Sequence, residues 1–184
     1  MAASGTAFRL CIAKPGGATL KSLKSQWAGD CGARKGRLQM SGIVVGIDGS
    51  HNASHALDWA MAEAAVRDAD LTVIAVHSVP ASYWTGAPVT LPGDEHRVEE
   101  VRASAEEAVS KAASALGDKQ PKSVRVVAVS DFPARTLIGV SANADLMVVG
   151  SRGGGGFGAL FLGSVSNQVV HHAKCPVVVV PSGR

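Results

Sequence analysis

The chain alternates short apolar runs with amphipathic stretches from about residue 43 onward. Apolar residues that recur every three or four positions predict helices, and the longest of these runs from Glu95 to Leu116 before Gly117 ends it. Continuous β-branched runs bounded by turn residues are typical of buried parallel strands. Five such runs predict strands at Ile43–Ile47, Leu71–Val79, Val124–Val129, Asp145–Val149 and Val177–Val180.

Strands that alternate with helices of this length indicate a parallel sheet with right-handed crossovers. We therefore expect an α/β fold: a five-stranded parallel sheet, doubly wound, with helices on both faces. Of the strand orders that doubly wound sheets adopt, we expect 3-2-1-4-5. In such sheets, ligands bind beyond the carboxyl ends of the strands, at the point where the strand order reverses.

Polar residues mark the start of two of the predicted helices. Ser50 or Asn52 can cap the helix that follows the first strand. Asp131, two residues before Pro133, predicts an N-cap with a proline in the first turn. A further helix is expected from Ser164 to Ala173.

The segment between the fourth strand and this last helix carries the most informative pattern of the chain. Gly150, Gly153 and Gly163 are spaced as Gly-x2-Gly-x9-Gly, and Ser164 follows directly. Glycines allow the backbone to approach phosphate oxygens closely, and the positive end of a helix dipole favours anions. A strand, a glycine-rich loop and a helix N-terminus in this order predict a phosphate site.

Two better-known phosphate motifs do not fit this segment. Gly158-x4-Gly163-Ser164 has the glycine spacing of a P-loop, but Leu162 stands where the phosphate-binding lysine is required. Gly153-x-Gly155-x2-Gly158 satisfies the dinucleotide pattern but follows the fourth strand, and the expected acidic residue about 20 positions on falls in the apolar run Val177–Val180. Neither P-loop NTPase nor dinucleotide-binding function is favoured.

The glycine spacing resembles the ATP-binding signature of the universal stress protein family, Gly-x2-Gly-x9-Gly-(Ser/Thr). Further pieces similar to that family stand in the same order along the chain, and the resemblance covers Gly42 to about Ser182. These pieces are Val44–Ser50, Val76–Ser78, Phe132–Ala134, Gly163–Ser166 and Cys175–Val180.

The resemblance implies an ATP site, with or without Mg²⁺, formed at the ends of the strands. It implies that Asp48 lies near the ribose and adenine, that the backbone of Ser78 meets the adenine edge, and that Ser164 helps to hold the phosphates. From the residues alone, Asp48 and Ser164 are also open to interpretation as helix-capping groups, and Arg152 as an exposed loop side chain. The expected binding residues are Gly46, Ile47, Asp48, Ser78, Val149, Gly150, Arg152, Gly153, Gly163, Ser164, Val165 and Ser166.

The histidines do not predict a metal site. His171 and His172 are adjacent, so their side chains point about 100° apart on a helix. His51 and His55 share a helix face, but no glutamate completes a zinc-protease pattern, and we interpret them as solvated surface residues. His77 is interpreted as a packing residue.

The basic charge of the chain is concentrated at its start. Residues 1–39 carry seven Lys or Arg and one Asp, a net charge of +6, so the remainder of this +3 chain carries −3. We expect residues 1–40 to be a disordered basic extension, with the domain at 41–184 and Met40 as a candidate natural start. Cys175 is the single cysteine of that domain, which favours a cytoplasmic, reducing setting.

These expectations describe an ATP-binding stress-response sensor or regulator in which nucleotide occupancy, rather than fast catalysis, is the activity. No catalytic residue is expected, and neither a membrane nor a nucleic acid is an expected partner of the domain. Two alternatives stay open: an interaction module of the same fold that binds no nucleotide, and a slow ATPase. The apolar edge strand Val177–Val180 further predicts a homodimer through the last strand.

Overall fold

The computed structural model describes the backbone of residues 10–12 and the complete residues 42–80, 93–153 and 162–181. The strands are β1 (Leu10–Ile12), β2 (Ile43–Ile47), β3 (Asp70–Ser78), β4 (Ser123–Asp131), β5 (Leu146–Gly150) and β6 (Val177–Val180). The helices are α1 (His51–Arg67), α2 (Asp94–Leu116), α3 (Pro133–Ser141) and α4 (Ser164–His172). Helices follow strands along the chain from β2 onward, as the apolar pattern predicts.

All strand pairs are parallel, and the sheet order is β1-β4-β3-β2-β5-β6. Counted from β2, this is the predicted order 3-2-1-4-5, which is therefore confirmed. The three-residue strand β1 adds a further pair at the β4 edge, opposite Val124–Val126. Because β2 has β3 on one side and β5 on the other, the strand order reverses at β2.

Two apolar cores form because strand side chains alternate between the faces of the sheet. Val45 packs with Leu57 and Met61 of α1 and with Val109 of α2 on one face. On the other face, the neighbouring Val44 packs in a second cluster with residues of α3 and α4, among them Leu137, Val140 and Val169. The prediction of helices on both faces is thus confirmed.

Local chemistry explains where α1 and α2 begin and end. Ser50 is the N-cap of α1, and its hydroxyl oxygen accepts the backbone N–H of Ala53 at 3.2 Å. Gly117 ends α2 with a φ of +74°, a conformation that glycine adopts without steric cost. Among the helices within the described ranges, none is long and apolar enough to cross a membrane.

The expected N-cap at Asp131 is wrong. Phe132 occupies the N-cap position of α3, and no side chain caps that helix. Asp131 instead belongs to β4, because the ladder with β3 continues to the pair Ser78–Asp131. Its buried carboxylate accepts the N–H of Phe132 at 2.7 Å and the guanidinium of Arg135 at 2.6 Å.

Candidate functional site

A cleft of about 740 Å³ opens beyond the carboxyl ends of β2, β3 and β5, where the strand order reverses. All twelve residues that the sequence singled out line this cleft. They reach it from three separate parts of the chain: the end of β2 with the first residue after it, the end of β3, and the segments on either side of residues 154–161. The remaining described lining residues are Asn52, Ala53, Ile74, Val76, Pro133, Leu137 and Leu162.

A glycine in β2 lets α3 approach the sheet under the cleft. A Cβ atom placed on Gly46 would lie 2.7 Å from Cδ1 of Leu137, well inside contact distance. Leu137 is itself a buried member of the α3–α4 core. The absence of a side chain at Gly46 therefore fixes how closely helix and strand pack at the floor of the cleft.

At the other end of the cleft, α4 begins without a side-chain cap. Gly163 is its N-cap residue, and its N–H donates to the carbonyl oxygen of Ser151 at 2.8 Å. The first N–H groups of a helix have no partner within the helix, and they carry the positive end of its dipole. The N-terminus of α4, Ser164 to Ser166, therefore offers backbone donors to an anion in the cleft.

Side-chain and backbone hydrogen bonds fix this helix terminus to the sheet. The hydroxyl of the buried Ser166 donates to the carbonyl oxygen of Gly150 at 2.6 Å. The N–H of Ser151 donates to the carbonyl oxygen of Val180 at 2.7 Å, which extends the contact between β5 and β6. The Ser166 hydroxyl proton is thus used within the fold, and what this residue presents to the cleft is its backbone.

Asp48 lies between the start of α1 and the glycine loop. One carboxylate oxygen accepts the N–H of Ser50 at 3.0 Å, which stabilises the turn before α1. The other lies so close to Gly153 that a Cβ atom there would be 2.6 Å from it. Of the two interpretations of Asp48, the N-cap position belongs to Ser50, and the Asp48 carboxylate supports the turn before α1 and faces Gly153.

The cleft is poor in groups that could carry out acid–base or nucleophilic chemistry. Within the described lining, Asp48 and Arg152 are the only charged side chains, and there is no histidine, lysine or cysteine. Cys175 lies outside this lining, and burial raises the pKa of its thiol, so it is protonated near neutral pH. The arrangement is suited to holding an anion by backbone N–H groups and one guanidinium.

Some lining residues were not among the expected binding residues, although the sequence contains a signal for them. Ile74, Val76 and Ser78 all line the cleft because side chains two apart on a strand share a face. Because Ser78 was an expected binding residue, the same alternation along β3 would have predicted Val76 and Ile74 as well. His77 points elsewhere, with its Nε2 3.6 Å from the Asp94 carboxylate.

Comparison with known proteins matches most of the described chain to one family. The sequence profile of the universal stress protein family matches residues 40–181. A universal stress protein of Mycolicibacterium smegmatis is 37% identical over 139 residues, which cover 76% of this chain and 47% of that protein. One from Mycobacterium tuberculosis is 35% identical over 141 residues, with shares of 77% and 48%. The chain spans about half the length of these curated relatives.

Solved structures agree with this match. UspA from Lactobacillus plantarum has a TM-score of 0.61 and 24% identity, covers 77% of this chain and 98% of its own, and shares the fold. A universal stress protein solved in complex with cAMP has a TM-score of 0.52 and 28% identity, covering 78% of this chain and 97% of its own. On the profile match and the sequence identities together, the chain belongs to the universal stress protein family.

Proposed function

We propose that the cleft binds an adenine nucleotide, with ATP as the expected ligand. The observation that carries this proposal is the convergence of twelve residues, chosen on sequence grounds, on one cleft at the point where the strand order reverses. Three features suit a bound phosphate chain. They are glycines that other segments of the chain approach closely, a helix N-terminus without a side-chain cap, and one arginine.

The size and polarity of the cleft fit a nucleotide. Its volume of about 740 Å³ falls within the range of roughly 300–1,000 Å³ that small-molecule sites occupy. In this proposal the phosphates lie at the N-terminus of α4 and against Gly150 and Gly153, and the base lies toward Ile47 and Ser78. Asp48 would lie near the ribose and adenine, and Mg²⁺ would be bound through phosphate oxygens of the nucleotide.

A relative with bound adenine nucleotide supports the ligand class. The solved universal stress protein in complex with cAMP shares 28% identity with this chain. Both cAMP and ATP contain adenine, ribose and phosphate, so the relative supports an adenine nucleotide as the class of ligand. The number of phosphates is determined by the binding measurements below. ATP is favoured here because the glycine spacing resembles the ATP-binding signature of the family, and the N-terminus of α4 has no side-chain cap.

The activity of the site is proposed to be nucleotide occupancy rather than turnover. The described lining offers one carboxylate and no general base beside it, whereas phosphoryl transfer needs metal ligands and a group that orients the attacking nucleophile. Bound nucleotide would stabilise the fold by about 2.7 kcal/mol at one hundred times its dissociation constant. In this proposal, such a change in stability is the signal of a cytoplasmic stress-response regulator, which acts as a homodimer through β6.

The proposal is tested by calorimetry with ATP, GTP and cAMP on the untagged full chain. Gly153→Val and Gly163→Val should each abolish ATP binding, because branched side chains would occupy the space that phosphate needs. A dissociation constant of about 1 μM corresponds to about 8 kcal/mol, so the loss is readily measured. Gly139→Val, at an exposed position of α3 outside the cleft lining, is the matched control.

Three outcomes separate the alternatives. ATP affinity that is lost in both cleft variants and kept in the control supports the proposal. Undiminished ATP affinity in both cleft variants rejects the glycine-loop site. No binding of any nucleotide by the wild-type chain, and no nucleotide released from the purified protein in mass spectrometry, favours an interaction module without a ligand.

A further inference from the structure

Two histidines converge at the start of α1, on the exposed side of the helix. His51 is the first residue of the helix and His55 follows four positions later, so their side chains lie one turn apart on the same face. Their Nε2 atoms are 3.2 Å apart, and the two rings meet edge to face with centroids 4.6 Å apart. The pair therefore presents two ring nitrogens to one point in space.

This separation matches the spacing of two ligands on one metal ion. Zinc–imidazole bonds are about 2.0–2.1 Å long, and at that bond length two nitrogens 3.2 Å apart subtend an angle of about 100° at the metal. The angle lies between the values of about 90° and 109° for octahedral and tetrahedral coordination. In the absence of a metal, one Nε2–H can donate to the other nitrogen, so a hydrogen bond holds the rings in this arrangement beforehand.

The sequence pattern alone predicts only solvated surface residues here, but from the ring geometry we propose that His51 and His55 form a two-ligand site for a divalent first-row transition metal ion such as Ni²⁺, Cu²⁺ or Zn²⁺. Imidazole nitrogen is a ligand that these ions favour over the oxygen ligands preferred by Mg²⁺ and Ca²⁺. Within residues 42–80, 93–153 and 162–181, no cluster of three or more His, Cys, Asp or Glu side chains is placed to hold a metal. The site therefore supplies two protein ligands, and water fills the remaining coordination positions of the metal. An ion held by so few protein ligands exchanges with ions in solution.

No other histidines of the chain repeat this arrangement. Of the six histidines in the sequence, only His51 and His55 are four residues apart. His171 and His172 are neighbours at the end of α4, with ring centroids 6.4 Å apart. His96 faces a carboxylate instead, with its Nε2 3.3 Å from Glu100. Each of these histidines can serve as a control for imidazole binding in general.

An ion bound at this pair would tie the first turn of α1 to the second. Unfolded chain does not hold the two rings together, so the ion binds the native state better and stabilises it by mass action. Asn52 and Ala53, which lie between the two histidines, line the nucleotide cleft. The proposal nevertheless stands apart from nucleotide binding, because neither histidine is among the described residues lining that cleft.

The test is calorimetric titration of NiCl₂ into the untagged full chain near pH 7.5, without a chelating buffer. One equivalent should bind, and His51→Gln or His55→Gln should each weaken Ni²⁺ binding by about tenfold or more, since one of two ligands is lost. The double variant His171→Gln/His172→Gln, which removes the same number of imidazoles, and His96→Gln should both bind like wild type.

Thermal unfolding supplies a second, independent readout. Ni²⁺ should raise the midpoint of the wild-type chain and of the His171/His172 control, and leave the midpoint of His55→Gln unchanged. Melting of His55→Gln near the wild-type midpoint without metal would show that the variant is folded. Equal Ni²⁺ affinity in wild type and in His51→Gln/His55→Gln, loss of affinity only on replacing His96, or no binding to wild type would each overturn the site.

Discussion

The hydrogen bonds and the exposure of individual side chains distinguish the roles of the cleft residues, as Ser166 and Ser164 show. The Ser166 hydroxyl is buried and donates to the carbonyl oxygen of Gly150 at 2.6 Å. Ser164, two residues earlier, is exposed at the first position of α4. Their sequence context assigns both to the phosphate site, whereas the contacts assign the Ser166 side chain to the fold.

We predict opposite effects for alanine at these two positions. Ser166→Ala should lower the free energy of unfolding by about 1–3 kcal/mol, because it leaves a buried carbonyl oxygen without its donor. Ser164→Ala should change it by no more than about 0.5 kcal/mol, as exposed substitutions usually do, and should weaken ATP binding instead. Urea unfolding and calorimetry on both variants measure the contrast.

Ser114→Ala, at an exposed position of α2 far along the chain from the loop, controls for the loss of a serine hydroxyl as such. Equal stability of Ser166→Ala and wild type would contradict the assignment of its hydroxyl to the fold. ATP affinity that is unchanged in Ser164→Ala would remove that side chain from the proposed phosphate site.

At the scale of elements, the sequence predicts strands and helices well and their junctions less well. β2 and β6 have the predicted bounds, because apolar residues fill them and turn residues flank them. The predicted junction between β4 and α3 is wrong, because Asp131 before Pro133 has the local pattern of a helix cap. The ladder with β3 prevails there and keeps Asp131 in the strand, a pairing that no local pattern reveals.

The buried carboxylate at this junction leads to a prediction about stability. Asp131→Ala should lower the free energy of unfolding by about 1–3 kcal/mol, because it leaves the N–H of Phe132 without its acceptor and empties a buried position. Arg135→Ala should cost about 0–1 kcal/mol, since the arginine side chain is 49% exposed and its ion pair is screened by solvent.

Urea unfolding of the two single variants and of the double variant separates these contributions. If Arg135→Ala were as destabilising as Asp131→Ala, the ion pair, rather than the backbone hydrogen bond, would be what holds the start of α3. Far-UV circular dichroism of Asp131→Ala should still show the α/β fold, because both apolar cores remain intact.

For the molecule as a whole, the alternation of strands and helices predicts a parallel doubly wound sheet, and the strand order 3-2-1-4-5 is one of those that such sheets adopt. Once that order is given, the cleft is expected beyond the strand ends where the order reverses at β2. The sequence does not predict which residues of the cleft also make packing contacts within the fold. The closeness of Gly46 to Leu137 and of Gly153 to Asp48 depends on distances between segments far apart in sequence. Such contacts form only when the helices pack against the sheet.

The described edge of the sheet at β6 bears on assembly. All four valines of β6 are half-buried, and their side chains pack against both cores. The carbonyl oxygens of Pro176 and Val180 accept N–H groups of Met147 and Ser151, at 3.0 Å and 2.7 Å. Because backbone groups alternate along a strand, Val178 also faces β5, and the N–H of Val179 faces the outer edge of β6.

We predict that this outer edge pairs with a second copy of the chain, and that proline substitutions reveal it. Val179→Pro should give a monomer with little loss of stability, since the N–H that it removes belongs to the outer edge. Val178→Pro is the matched control: it removes a hydrogen bond to β5 and should lower the free energy of unfolding by about 1–3 kcal/mol. Light scattering measures the first effect and urea unfolding the second. A wild-type chain that stays monomeric at tens of micromolar, or a Val179→Pro variant that stays dimeric, would exclude a two-fold contact through β6.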